Sequence, residues 1–260
     1  KSYLTLRSGS YNFIDTISQF GHFFGLNEGA QNMKVNMASS SWAELYATYG
    51  QTIIDNEYGR LNAGITLKLN KGLSGAFAHL ANGNFIRTGS NPAGYRVTDA
   101  ALDFGYSSNF DEWDSLKNFQ QNSRNFFSLT EAGGSIDIGV EWLVKLQSVK
   151  SVVDDDDHFD YDWKIGLSVL DIGYGQYAFG QYSTNVTDVL LDQVFDSTIS
   201  SVGILRDSLS RVFGDMGRYI GKFRVTHPTR LVLNVDKFIT DAFFVNADIS
   251  VNVSSLSSGP

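Results

Sequence analysis

A long alternation of apolar and polar side chains runs over residues 61–79. Leu61, Ala63, Ile65, Leu67, Leu69, Leu73 and Phe77 form one set, and Asn62, Gly64, Thr66, Lys68, Asn70, Gly72 and Ser74 form the other. Successive side chains of a strand point to opposite faces, so the stretch predicts a ribbon with one apolar and one polar face. Soluble strands are usually about 5–6 residues long, whereas about 9–11 tilted residues cross the hydrocarbon of a bilayer. The predicted strand is long enough to cross.

The same pattern recurs along the chain. Over residues 34–54, Val35, Met37, Ala43, Leu45, Ala47 and Tyr49 oppose Asn36, Ser40, Glu44, Tyr46 and Thr48. The turn residues Asp55-Asn56-Glu57-Tyr58-Gly59 then join this strand to the first as an antiparallel hairpin. Residues 100–106 alternate again, and residues 135–146 do so most cleanly: Ile136, Ile138, Val140, Trp142, Val144 and Leu146 against Ser135, Asp137, Gly139, Glu141 and Lys145. Carboxylates at Asp137 and Glu141 on one face suit a wet lumen better than a dry core. From Trp163 the alternation continues through Ile165, Leu167 and Val169, then slips near Leu170-Asp171, which predicts a bulge. The aromatic run Tyr174, Tyr177, Phe179 and Tyr182 is expected where a barrel strand meets lipid headgroups. Residues 230–238 and 239–253 predict a second hairpin.

Three stretches depart from this period. Residues 3–24 read as partly strand, and residues 111–124 as a long polar loop. Over residues 187–213 apolar positions recur at three and four (Leu191, Val194, Phe195, Ile199, Val202, Leu205, Leu209, Val212), which predicts an amphipathic helix. One helix among strands must bury its stripe, as a cap over a barrel mouth or a plug within it.

Composition narrows the class. The mean hydropathy is −0.14, and no apolar run of about 18 residues marks a membrane helix; a barrel escapes that test because lumenal residues dilute its lipid-facing ones. The chain has 25 glycines, 3 prolines and no cysteine, which removes disulfides, thiolate zinc sites and cysteine nucleophiles. A net charge of −8 without a basic, aromatic-interleaved stripe argues against nucleic acid as a partner. The sequence opens without a signal peptide and closes on Ser-Ser-Gly-Pro without the aromatic end of a final barrel strand. It is therefore expected to be a piece of a longer polypeptide.

Candidate chemistry is sparse. The acidic run with Asp154, Asp156 and Asp160 offers carboxylate oxygens to a hard cation such as calcium. It lacks the spacing and glycine of an EF-hand loop, and a solvated turn is the plainer reading. The four histidines, His22, His79, His158 and His227, are scattered, and nothing marks a serine partner for a hydrolase. No catalytic residue and no cofactor are assigned. The lumen-facing polar candidates are Lys68, Asp137, Glu141, Lys164, Asp236 and Asp248; they would line a solute path or pair with one another and close it.

Several phrases together resemble a known family: Trp42-Ala43-Glu44-Leu45, Leu61-Asn62-Ala63-Gly64-Ile65-Thr66-Leu67-Lys68-Leu69-Asn70-Lys71-Gly72, Gly134-Ser135-Ile136-Asp137-Ile138-Gly139-Val140-Glu141, Lys164-Ile165-Gly166-Leu167-Ser168-Val169-Leu170-Asp171-Ile172-Gly173 and Pro228-Thr229-Arg230-Leu231. They are similar to a family of outer-membrane β-barrel proteins of the Bacteroidota, some carrying a C-terminal OmpA-like domain. More distantly they resemble fatty-acid-transporter-like barrels, including the PorV type of the type IX secretion system. The resemblance implies a cell outer membrane location with lipid and lipopolysaccharide against the apolar face; it does not imply an enzymatic activity, and none is expected. The fold expected is all-β: an antiparallel transmembrane barrel, or a large part of one, as a single domain over residues 1–260 with the 187–213 helix as a loop insertion. The function expected is a non-enzymatic structural or assembly component of an envelope complex, bound to other envelope proteins. The alternatives are a transporter or pore for a small or hydrophobic solute, and a hydrolase set in a barrel wall. A soluble β-sandwich is the alternative fold.

Overall fold

A computed structural model describes residues 1–8, 25–88, 94–114, 116–145, 161–186, 207, 217–240, 243–254 and 257–259. The predicted helix over residues 187–213 lies, apart from Asp207, outside the described residues, as do Asp154, Asp156 and Asp160. Among the described residues no helix is long and apolar enough to cross a membrane, which says nothing of a β-barrel.

The chain folds as a single antiparallel sheet. Its strands are β1 (Ser2–Ser8), β2 (Met33–Asp55), β3 (Gly59–Thr88), β4 (Gly94–Tyr106), β5 (Ala132–Val144), β6 (Trp163–Ala178), β7 (Thr184–Val186), β8 (Lys222–Thr226), β9 (Arg230–Thr240), β10 (Phe243–Asn252) and β11 (Ser257–Gly259). The predicted β2–β3 hairpin is present, and its turn is held by Asn56, whose Oδ1 accepts from the backbone of Tyr58 and Gly59. The second hairpin is β9–β10. The segment read as a polar loop contains a 3-10 turn (Ser108–Glu112) and a helix, α1 (Phe119–Ser128). Asn118 and Gln121 form a capping box that starts the helix, and Phe119, Phe126 and Phe127 fall on one side of it.

The sheet branches, because its longest strands change neighbours halfway. The first half of β3 pairs with β5 and its second half with β4. Likewise β6 pairs first with β9 and then with β8. This creates two tiers. The upper tier is the meander β2–β3–β5–β6–β9–β10; the lower tier holds β1, the first part of β2, the second part of β3, β4, β7, β8 and β11. The upper sheet is open: β1 pairs only with the Val35–Ser41 part of β2, so the upper part of β2 and the outer edge of β10 have no neighbouring strand among the described residues.

Two bulges separate the tiers. Ser41 pairs with Ser74 while Trp42 pairs with Gly72, which leaves Leu73 unmatched in β3. The predicted slip in β6 is a bulge at Asp171, where φ is +59° and the register against β5 shifts. One extra residue reverses every side chain beyond it. Phe77, expected on the face of Leu67 and Leu69, therefore turns inward, and Ile172 and Tyr174 return to the outer face.

Below the bulges the sheet folds onto itself like a sandwich. Ala38 and Phe77 from β2 and β3 pack against Tyr177, Phe223 and Val225 from β6 and β8. The expectation that Tyr177 faces headgroups is corrected here: it is 2% exposed, because Gly72 and Gly75 leave a slot in β3. A Cβ at Gly75 would meet the Tyr177 ring at 2.5 Å. The Tyr177 hydroxyl lies 2.6 Å from Ser40 Oγ and donates to the Ser41 carbonyl. Phe77 is the centre of this core, 1% exposed and edge-on to Phe223 at 5.3 Å. Phe77→Ala is expected to cost about 3–5 kcal/mol by loss of transfer energy and a residual cavity, read as a shift of the urea unfolding midpoint with the slope unchanged.

Candidate functional site

The upper tier carries its polar side chains inward. Across six strands one row reads Thr52, Asn62, Glu141, Gly166, Asn234 and Asp248, each paired with the next. The row below it reads Gly50, Gly64, Gly139, Ser168, Val232 and Ser250. All of these except Asp248 and Ser250 of β10 line a groove of about 590 Å³ that also takes in Thr48, Thr66, Asp137 and Lys164. Added Cβ atoms at Gly50, Gly64 and Gly166 would meet nothing nearer than 3.5 Å, so the groove is wide at these positions rather than filled.

The charged candidates sit on this wall and engage one another. Lys164 Nζ lies 2.8 Å from Asp236 Oδ2, and Asp236 also accepts from Asn246 and, at 3.5 Å, from the Tyr161 hydroxyl. Asn62 donates to Glu141 at 3.1 Å, and Asn234 to Asp248 at 2.6 Å. Lys68 lies deepest, 7% exposed, with Nζ 2.5 Å from Asp137.

Lys68 belongs to a second, larger assembly that closes the lower end of the groove. Asp171, fully buried on the β6 bulge, receives Lys68 at 2.7 Å, Lys1 at 2.8 Å and Arg230 at 3.1 Å. Asp137 ties the cluster to the bulge by accepting from the Asp171 backbone at 2.7 Å. Glu44 accepts from Lys1 at 3.2 Å and from the Trp42 indole at 3.2 Å. Three cations thus face three carboxylates. Charges withdrawn from water are tolerable only when paired and hydrogen-bonded in this way.

An aromatic stack supports the charges. Trp42, 1% exposed, lies flat on the His227 ring at 3.9 Å and on Tyr3 at 5.4 Å. The His227 ring nitrogens have no hydrogen-bond partner among the described residues. Burial lowers its pKa to about 4, opposed only in part by the Asp171 carboxylate, so the ring is neutral. Charged residues and stack together form a floor between the groove and the packed lower tier.

Lys68 and Asp137 were legible as inward residues, but Lys1, Trp42, Glu44, Asp171, His227 and Arg230 were not foreseen as their partners. The slip at Asp171 was the available signal, since a carboxylate at a strand bulge between two lysine-bearing polar faces asks for a cation. Of the described histidines, His227 is stacked on Trp42 and His79 Nδ1 lies 3.4 Å from Asp103; His22 and His158 lie outside the described residues. Among the described residues no cluster of ligating side chains could hold a metal ion.

Fold and site define an antiparallel all-β protein whose upper sheet turns its charges and amides inward and its aliphatic side chains outward. The chain belongs to the family of unknown function DUF5723, which it matches over residues 8–256. No curated protein and no solved structure matches it.

Two measurements test the floor. Lys68→Met leaves Asp137 and Asp171 short of a cation and is expected to cost about 3–5 kcal/mol in denaturant unfolding. His227 gives a pH signature. Between pH 6.5 and pH 4 the unfolded chain takes up a proton that the folded one refuses, so stability falls on acidification, at most by about 1.4 kcal/mol per pH unit. His227→Phe keeps the stack and is expected to flatten that part of the stability curve relative to the wild type.

Proposed function

We propose that this chain is the wall of an outer-membrane β-barrel, a non-enzymatic structural or assembly component of the cell envelope. The observation that carries the reading is the inversion of the upper sheet. Its outer face bears a continuous row of Tyr49, Ile65, Ile138, Val169, Leu231 and Val251, each paired with the next across six strands. Leu45 and Leu69, also paired with each other, are 75% and 72% exposed. A soluble sheet hides such a face, and contiguous apolar surface of this extent asks for a covering phase. Here the polar face is the one that lines the groove, which is the arrangement of a barrel wall in lipid.

Dimensions support the same reading. The outer apolar zone of β3 runs over residues 60–71, about 40 Å of strand and about 28 Å of height at a tilt near 45°. Lys237 caps its upper rim, with Nζ 4.0 Å from the centre of the Trp163 ring. Backbone groups in lipid need partners, so this reading requires both open edges of the upper sheet to be paired, with each other or with further strands.

The floor bears on the choice between the two envelope roles. A groove sealed below by an ion cluster and an aromatic stack is a cup, which favours a scaffold over a conduit. The width and polarity of the cup keep a solute pore as the second reading. Expressed in full-length form, the protein is expected in the outer-membrane fraction, soluble only in detergent, with stoichiometric envelope partners after mild extraction. In planar bilayers it is expected to conduct poorly, with Trp42→Ala raising conductance. Large conductance by the wild type would favour the pore, and recovery without detergent would remove the membrane reading.

A further inference from the structure

The described part of the connection from β4 to β5 exposes large apolar side chains that the barrel wall does not explain. The 3-10 turn and α1 present Phe110, Trp113, Leu116, Phe119, Phe127 and Leu129 at exposures from 42% to 94%. These side chains are not a loose loop. Phe110 meets Phe126 edge-on at 5.6 Å and Trp113 meets Phe119 at 6.4 Å. Asn122 donates to the carbonyls of Asp114 and Lys117, locking the turn to the helix.

The unit is also fixed to the wall at one level. Asn109 donates to the carbonyl of Leu73, the bulged residue of β3, and Glu131 accepts from the backbone of Gly72. Asp111 accepts from the Tyr106 hydroxyl at 2.6 Å and from the Gln181 backbone at 2.7 Å. Both ends of the connection therefore meet the wall where β3 exchanges β4 for β5. The inside is full there, occupied by Trp42, His227 and Tyr177. The exposed aromatic face is thus on the outside, at the lower margin of the apolar zone that ends at Leu69 and Lys71.

We infer that the 3-10 turn and α1 form an interfacial anchor that lays Trp113, Leu116 and Phe119 into the headgroup region of the bilayer. The inference rests on the barrel reading and adds to it a depth. Indole and phenyl rings carrying a polar edge or a polar neighbour settle at the boundary between hydrocarbon and water. Here they are held at the level where the outer apolar face ends, and would mark its lower rim as Trp163 and Lys237 mark its upper one. A helix held at that height would fix the vertical position of the wall in the membrane.

The absence of cysteine makes the test direct. Single Leu116→Cys, Leu67→Cys and Glu57→Cys variants of the full-length protein are spin-labelled and reconstituted in phosphatidylcholine–phosphatidylglycerol vesicles. Collision with oxygen, which favours lipid, is then compared with collision with a water-soluble nickel chelate. Leu67 reports the middle of the apolar zone, and Glu57 the aqueous hairpin turn. The expected oxygen-to-nickel ratio at position 116 is several-fold above that at position 57 and below that at position 67. A lipid-buried position 67 with an aqueous position 116 would overturn the anchor and leave the barrel standing. An aqueous position 67 would remove the barrel, and the anchor with it. A position 116 shielded from both reagents, with a spin–spin interaction that vanishes on dilution with unlabelled protein, would assign the patch to a second copy and overturn the lipid assignment.

Discussion

Everything in this structure hangs on a buried carboxylate at a bulge. Asp171 holds a left-handed backbone conformation, with φ at +59°, which aspartate tolerates better than most residues. That conformation shifts the register of β6 and points the carboxylate inward, to where Lys1, Lys68 and Arg230 converge. These cations come from β3, from the start of β9 and from the residue before β1. One side chain therefore ties together segments that are far apart in sequence. Without the cations the buried charge would be ruinous; with them the position is sharply specified.

The second bulge, at Leu73, does the complementary work on β3. It lets a single strand serve two environments, with Leu67 and Leu69 facing out above it and Phe77 facing in below it. Gly72 and Gly75 flank it and leave room for Tyr177, whose hydroxyl reaches across to β2. The bulges lie close to the floor, so the change of packing, the change of neighbouring strands and the seal of the groove occur together. The upper tier can then present aliphatic side chains outward, because the lower tier supplies a dry core of ordinary kind.

The two tiers distribute their side chains in opposite ways, and the proposed function rests on that contrast. The lower tier obeys the rule for proteins in water: aromatic rings inside, Trp42 and Phe223 almost wholly buried. The upper tier reverses it. Its polar side chains line the groove and its aliphatic ones face away from it, which is why the membrane reading is proposed.

The alternation of residues 61–79, 135–146 and 230–253 determined by itself that the fold is antiparallel β with two-faced strands, because side-chain period 2 is a local property of the backbone. It also identified Lys68, Asp137, Glu141 and Lys164 as members of the polar face, and the phase slip at Leu170-Asp171 as a bulge. It could not find the bulge at Leu73, where apolar and polar residues alternate on through the extra residue, and so it assigned Phe77 to the wrong face; the slot at Gly72 and Gly75 that buries Tyr177 exists only once β3 and β6 meet. The helix α1 escaped notice because it is only 10 residues long, so Phe119, Phe126 and Phe127 return to one face just once among the amides between them. Tertiary structure alone decided which charges meet. Lys1, Glu44, Lys68, Asp137, Asp171 and Arg230 are assembled by strand pairing across the whole chain, and no local pattern encodes a partner 170 residues away. The order of apolar and polar residues sets each strand's faces; only the register between strands, fixed by bulges and by the packing beneath them, brings those faces into one floor.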